Sequence, residues 1–252
     1  MNAALEDVRY ASDGPVATIT LDRPDARNAY SNAMVHGLVA ALDRAEADRE
    51  IRVIVLTGAG KAFSAGGDLK QMRDRSGMFA GEAAELRRRY IDGIHRIPRR
   101  IARCEKPMIA AINGAAIGAG LDLACMCDLR IAAGGAKLGS TFVKVGLIPG
   151  DGGAYFLART IGFARALELV LTGRVLTAEQ GLAIGLVHEV VDRESLYEAV
   201  TTRAHEIAAL PPVAVALTKR AAYRSWGASL DEALEMAATY QGISQTTEDH
   251  QA

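Results

Sequence analysis

Two short, unbroken apolar runs stand out in the first half of the chain, Arg52-Val-Ile-Val-Leu-Thr57 and Pro107-Met-Ile-Ala-Ala-Ile-Asn113. Neither alternates with polar residues, which is the pattern of a strand covered on both faces. Ahead of them, Arg9 to Ser12 and Val16 to Leu21 flank Asp13-Gly-Pro15 and predict a hairpin. Ser31 predicts the cap of a helix running to about Ala47, with Met34, Leu38, Ala41 and Leu42 on one face. The pattern then predicts a helix from Asp68, a long arginine-rich helix from about Gly81 to Arg103, and short strands at Leu129–Ile131 and Lys137–Leu138. From Gly152 onward helix follows helix, punctuated by Gly162, Gly173, Gly185 and Pro211-Pro212. Strands alternating with helices define an α/β chain. A boundary near Val190 to Glu194 divides it into a core, 1–193, and a helical C-terminal region, 194–252, made of Leu196–Ala209, Val213–Trp226 and Leu230–Ile243.

Both apolar runs open into glycine-rich loops that lead to helices. The first continues through Gly58-Ala-Gly60 to Lys61-Ala-Phe-Ser-Ala-Gly-Gly-Asp-Leu-Lys70, the second through Gly114-Ala-Ala-Ile-Gly-Ala-Gly120. Such loops deliver bare backbone N–H groups to a sheet edge where a helix begins. Two of them facing each other can hold one oxygen atom between two donors, the geometry that stabilises an oxyanion.

Composition narrows the classes. The chain has 252 residues, half of them apolar, enough for a substantial core. Its 29 basic and 30 acidic residues give no overall field to attract nucleic acid or a membrane surface. No apolar run approaches a bilayer's thickness, and the start from Met1 to Asp7 is acidic, unlike a signal peptide, so a cytoplasmic protein is expected. Cys104, Cys125 and Cys127 lie in apolar sequence without metal-ligand spacing and read as core-filling thiols; no metal is expected. The arginines at 87–89, 96, 99, 100 and 103 alternate with Ile91, Ile94, Ile97 and Ile101, an amphipathic helix with a basic outer face. Gly118-Ala-Gly120 has Leu123 at the third glycine position of a dinucleotide fingerprint and no acidic residue some twenty positions on. His188-Glu-Val-Val-Asp192 lacks a zinc protease's second histidine, and neither Ser64 nor Ser140 has a nucleophile elbow.

The segments Arg23-Pro-Asp-Ala-Arg-Asn-Ala29, Phe63-Ser-Ala-Gly-Gly-Asp-Leu69, Pro107 through Gly120, Cys127-Asp-Leu-Arg-Ile-Ala132, Gly146-Leu-Ile-Pro-Gly150 and Leu171-Thr-Gly173 resemble, in that order, the enoyl-CoA hydratase/isomerase (crotonase) family. The resemblance extends from about Val8 to His250. It implies a crotonase (ClpP-like) spiral of repeated β-β-α units, a helical C-terminal trimerisation region, and a homotrimer or dimer of trimers. It also implies an acyl-CoA substrate, with coenzyme A entering as part of that substrate and no separate cofactor.

Carried over by position, the two oxyanion donors belong to Ala65 and Ala119, with alanine at 119 where glycine is commoner. The two glutamates of a hydratase fall on Asp122 and Phe142. Phenylalanine transfers no proton, and aspartate is one methylene shorter than glutamate. Asp151 lies in the loop where isomerase relatives keep a base, one position later than theirs, and reads either as that base or as the cap of the helix beginning at Gly152. The resemblance further implies substrate contacts at Ala26, Arg27, Gly66, Gly67, Asp68, Leu69, Gly118, Phe142 and Lys219. Three readings stay open: a hydratase or isomerase, an acyl-CoA-binding protein with little activity, and a CoA-thioester hydrolase.

Overall fold

The computed structural model describes residues 5–251. The hairpin forms as expected, β1 (Val8–Asp13) antiparallel to β2 (Val16–Leu21). Helix α1 (Asn32–Ala47) starts where Ser31 accepts the Met34 N–H at 2.9 Å. The two apolar runs become β3 (Val53–Gly58) and β5 (Met108–Ile112), each followed by a short strand, β4 (Ala62–Ser64) and β6 (Ala115–Ile117), and then by a helix, α2 (Leu69–Arg73) and α5 (Ala119–Met126). Between these units lie α3 (Ala83–Arg89) and α4 (Arg96–Ile101). A third unit is β7 (Leu129–Ala133), β8 (Lys137–Gly139) and α6 (Gly153–Ile161), followed by α7 (Phe163–Thr172), β9 (Val175–Thr177), α8 (Ala178–Ala183) and β10 (Glu189–Val191).

Each unit lays its first strand in a six-stranded sheet ordered β1-β2-β3-β5-β7-β10 and its second in a four-stranded sheet ordered β4-β6-β8-β9. That is the expected spiral of β-β-α units. The large sheet is parallel from β2 onward and covered on both faces, which explains the unbroken apolar runs. Ile54, Leu56, Met108 and Ala110 face the main core with Leu38 and Leu42 of α1. Val53, Val55, Ile109 and Ala111 face α9 (Leu196–Ala208), which packs Leu196, Val200, Ala204 and Ala208 against them. Helix α9, expected to belong to the separate C-terminal region, is therefore by its contacts the second cover of the sheet. Beyond it, α10 (Pro212–Ser225) and α11 (Leu230–Gln245) contain no buried residue.

The expected helix from Gly81 to Arg103 is broken into α3 and α4 by a π-turn, Tyr90–Ile94, in which His95 N–H donates to Tyr90 O at 2.9 Å. Pro98 supplies the physical reason: it has no N–H, and its ring crowds the carbonyl four residues back, at Ile94. The apolar face is as expected, with Ile94, Ile97 and Ile101 buried. All three cysteines are free and buried, and burial pushes each thiol up to about 12. Among the described residues no group of side chains has the make-up of a metal site, and no helix is long and apolar enough to cross a membrane.

Candidate active site

The C-terminal ends of the adjacent parallel strands β3 and β5 bring their two loops together, the usual place for a site in such a sheet. Contact is close because residue 66 is glycine. Its φ is +80°, and a Cβ there would stand 2.7 Å from Ala119 N. Asn28 fixes the first loop from below: its buried amide donates to Ala59 O and Ala62 O at 2.9 Å and to Phe63 O at 3.2 Å. Tyr30 N–H donates to Gly66 O at 2.7 Å. In a trans peptide the C=O and N–H point in opposite directions, so this bond aims the Gly67 N–H away from the scaffold.

The expectation that Ala65 supplies one donor is not met. Its N–H is engaged with Arg27 O at 2.9 Å, and that of Gly66 with Ser64 Oγ at 3.1 Å. Among the described residues the N–H groups of Gly67 and Ala119 have no hydrogen-bond partner, a property they share with the neighbouring Asp68, Leu69 and Gly120. Ala119 is the first residue of α5, so its N–H belongs to the donors that a helix start leaves without partners. Alanine is tolerated there because the positive φ, +56°, falls on Gly118. The fully buried Tyr30 hydroxyl donates to Ala119 O at 3.3 Å, so one residue touches both loops.

Asp122 lies one turn along α5 from Ala119 and is completely buried. Its carboxylate rests on Gly153, where a Cβ would collide with both oxygens. Asp151, 2% exposed, is within hydrogen-bonding reach of it. As two carboxylates they have no donor between them, and all four oxygens lack partners. One shared proton resolves this. Burial first, then the Asp151 charge and the hydrogen bond to Asp151, holds the Asp122 acid well above the ordinary carboxylate range. Burial also raises Asp151, but the bond from Asp122, its own backbone and the charge of His95 oppose that rise. The two acids are therefore raised together and titrate as one coupled pair, Asp122 pushed the further. The reading of Asp151 as a helix cap fails, because Gly152 is the N-cap of α6 and no side chain caps it.

Phe142 packs its ring over Gly118, 3.7 Å from where a Cβ would stand, next to the free Ala119 amide. Leu69 and Tyr90 belong to the wall of an apolar cleft of about 530 Å³, with Met72, Phe79, Leu86 and Leu147. Tyr90 also packs against Gly150 beside Asp151, so this one ring links the cleft wall to the loop of the acid pair, although neither aspartate lines the cleft. Asp68 caps α2 through the N–H groups of Lys70 and Gln71 and pairs with Arg23 at 3.1 Å. Burial is the largest single effect and raises its acid, but the Gln71 and Arg23 bonds with the Arg23 charge together outweigh it and hold the acid low, so its carboxylate serves the loop. Ala26 and Arg27 flank the first loop; the exposed Arg27 side chain has no ion pair among the described residues.

Lys219 does not join the site. Its ammonium is bound to Asp128 and to Lys106 O, both at 2.8 Å, fastening α10 to the core. A second cavity, about 390 Å³, lies there and contains neither member of the acid pair. Sequence reasoning missed Tyr30, His95 and the donor role of Gly67. Only Asn28 carried a signal, its place in Arg23-Pro-Asp-Ala-Arg-Asn28.

A spiral of β-β-α units, with two unengaged amides beside a buried acid pair, defines the class of scaffold. Comparison with known proteins gives it a family. The profile described as enoyl-CoA hydratase/isomerase matches residues 11–252. The short-chain-enoyl-CoA hydratase of Clostridium acetobutylicum is 36% identical over 246 residues, 97% of this chain and 92% of that protein. The 1,2-epoxyphenylacetyl-CoA isomerase of Escherichia coli K12 is 38% identical over 235 residues, 93% of this chain and 88% of that protein. The crystal structure of an enoyl-CoA hydratase from Bacillus anthracis superposes with a TM-score of 0.90 at 34% identity, covering 97% of this chain and 93% of that one. The chain belongs to the enoyl-CoA hydratase/isomerase family and is an enzyme of the lyase or isomerase kind.

Proposed function

We propose that this enzyme moves a proton at the carbon beside the carbonyl of an acyl-CoA thioester, and that its preferred reaction is double-bond migration. The observation that carries the reading is the pair of unengaged N–H groups, Gly67 and Ala119, converging beside a buried acid pair that holds one proton. Ionised Asp151 takes the proton from the α-carbon of a 3-enoyl thioester. The C–H electron pair moves into the conjugated enolate, whose oxygen the two amides hold. Neutral Asp122 returns a proton at the γ-carbon, leaving the 2-enoyl thioester. Each donor of such a hole is worth about 2.7–4 kcal/mol in the transition state. Phe142 favours migration over hydration, because a phenyl ring beside the amides offers water no base.

The cleft beside Tyr90 suits the apolar acyl chain, and the free Arg27 guanidinium suits a phosphate of the coenzyme A moiety. No separate cofactor enters this reading. Three free thiols support a reducing, cytoplasmic setting. The uncovered α10 and α11 support assembly into a homotrimer or dimer of trimers, as the resemblance implies.

The test is proton exchange. A saturated acyl-CoA incubated in D2O with the enzyme is expected to take up deuterium at the α-carbon, read by mass spectrometry. A 3-enoyl-CoA is expected to isomerise faster than crotonyl-CoA hydrates. Tight binding with no exchange would replace the reading with an acyl-CoA-binding protein, and release of free coenzyme A would replace it with a thioester hydrolase.

A further inference from the structure

His95 belongs to none of the motifs read from the sequence, yet the fold brings it to the acid pair. Its Nε2 lies 2.7 Å from Gly150 O, the carbonyl of the peptide that carries Asp151. A carbonyl only accepts, so Nε2 is the protonated ring nitrogen. The π-turn at Tyr90–Ile94 shifts the register of the helix just before His95, a local irregularity that recurs at functional sites. The Tyr90 ring meets His95 edge-on at 5.9 Å and packs against Gly150 from the same turn. This part of the loop therefore rests on two side chains from one turn, 55 residues away in sequence.

Resting on the reading above, we propose that His95 is a positioning residue: its bond to Gly150 O fixes the peptide plane before Asp151 and so holds that carboxylate at the reacting carbon. Among the described residues the Gly150–Asp151 peptide has no other bond to the scaffold through its carbonyl. Asp122 from α5, Tyr30 from just before α1, Tyr90 from the π-turn and His95 from its end are the titratable groups facing Asp151. Of these only His95 brings positive charge, so it also favours the ionised form.

The test compares wild type with His95→Leu and His95→Gln. Leucine removes donor and charge; glutamine keeps an N–H donor without the charge. His95→Leu is expected to lower the rate constant for α-proton exchange about 100-fold with KM nearly unchanged, the effect of misplacing a reacting group by about 1 Å. His95→Gln is expected to recover most of that loss. Carbon-13 NMR titration of the aspartate carboxyls reads the same arrangement without turnover: the Asp151 midpoint is expected to move upward in both variants. Wild-type exchange rates in His95→Leu would overturn the inference. If wild type itself exchanges no α-proton, the proposed activity falls, and the carboxyl titration alone decides the role of His95: an unmoved midpoint rejects it.

Discussion

At the scale of single residues, the chemistry turns on what stands at 122, 142 and 151. Phe142 occupies the place beside the Ala119 amide where the family resemblance implies a second carboxylate, and Asp151 brings one from another loop. Phe142→Glu is therefore expected to raise hydration of crotonyl-CoA by about tenfold or more and to slow double-bond migration, since a general base beside water contributes about 10²–10⁴-fold when well placed. Side-by-side assays with crotonyl-CoA and a 3-enoyl-CoA check this. Asp122 gives a prediction about stability. Its folded acid is raised above the unfolded value near 3.8, so between those two values the native state binds more protons than the unfolded chain. Stability is then lost as pH rises through that window and stays lost above it. Asp122→Asn removes the ionisation, and the amide can donate to Asp151. The variant is expected to be more stable than wild type at pH 8 by about 1–3 kcal/mol, with the gain shrinking as pH falls toward the ordinary carboxylate range. Thermal melting across pH measures it, and the same variant is expected to lose α-proton exchange.

At the scale of elements, legibility in the sequence followed length and burial. Strands β3 and β5 are long enough and apolar enough to be read directly, and Ser31 marked the start of α1. The small sheet was largely unreadable: β4, β6 and β9 are three residues each, too short to show a period, and β6 hid inside the glycine loop read as the start of a helix. The two loops were legible as anion-binding turns, but not which amide each leaves free. That depends on Arg27 O and Tyr30 N–H, which reach the loop from another part of the chain. Lys219 was misassigned for the same reason, since its partner Asp128 lies 91 positions earlier. Asp128 also accepts from Tyr223 Oη at 2.9 Å and from Met108 N–H at 2.7 Å, so one carboxylate joins α10 to β5. Asp128→Ala leaves an ammonium, 13% exposed, without its counter-charge. The expected cost is about 3 kcal/mol, read by urea denaturation, with faster hydrogen exchange in α10. An unchanged exchange pattern would show that other contacts hold this helix.

At the scale of the whole molecule, the C-terminal layer is unlike the rest of the chain. Helices α10 and α11 bury no residue, while Trp226, Leu230 and Leu234 are 64%, 73% and 58% exposed. Leu230 and Leu234 are one turn apart on the same face of α11, and an exposed apolar face of this kind is what association between copies would bury. The groups assigned to chemistry, by contrast, all lie in one core: Gly67, Ala119, Asp122 and Asp151, held by Tyr30 and His95. Assembly and proton transfer are therefore separable. Sedimentation velocity at micromolar concentration is expected to give three or six copies for wild type, each contact burying roughly 1,200–2,000 Å². Leu230→Glu combined with Leu234→Glu places two desolvated carboxylates in that contact and is expected to shift the protein to a single chain. Because no reacting group comes from this layer, the single chain is expected to retain α-proton exchange. A wild-type protein that sediments as one chain would remove the association surface, and a dissociated variant that has lost exchange would show that the site is completed by a neighbouring copy.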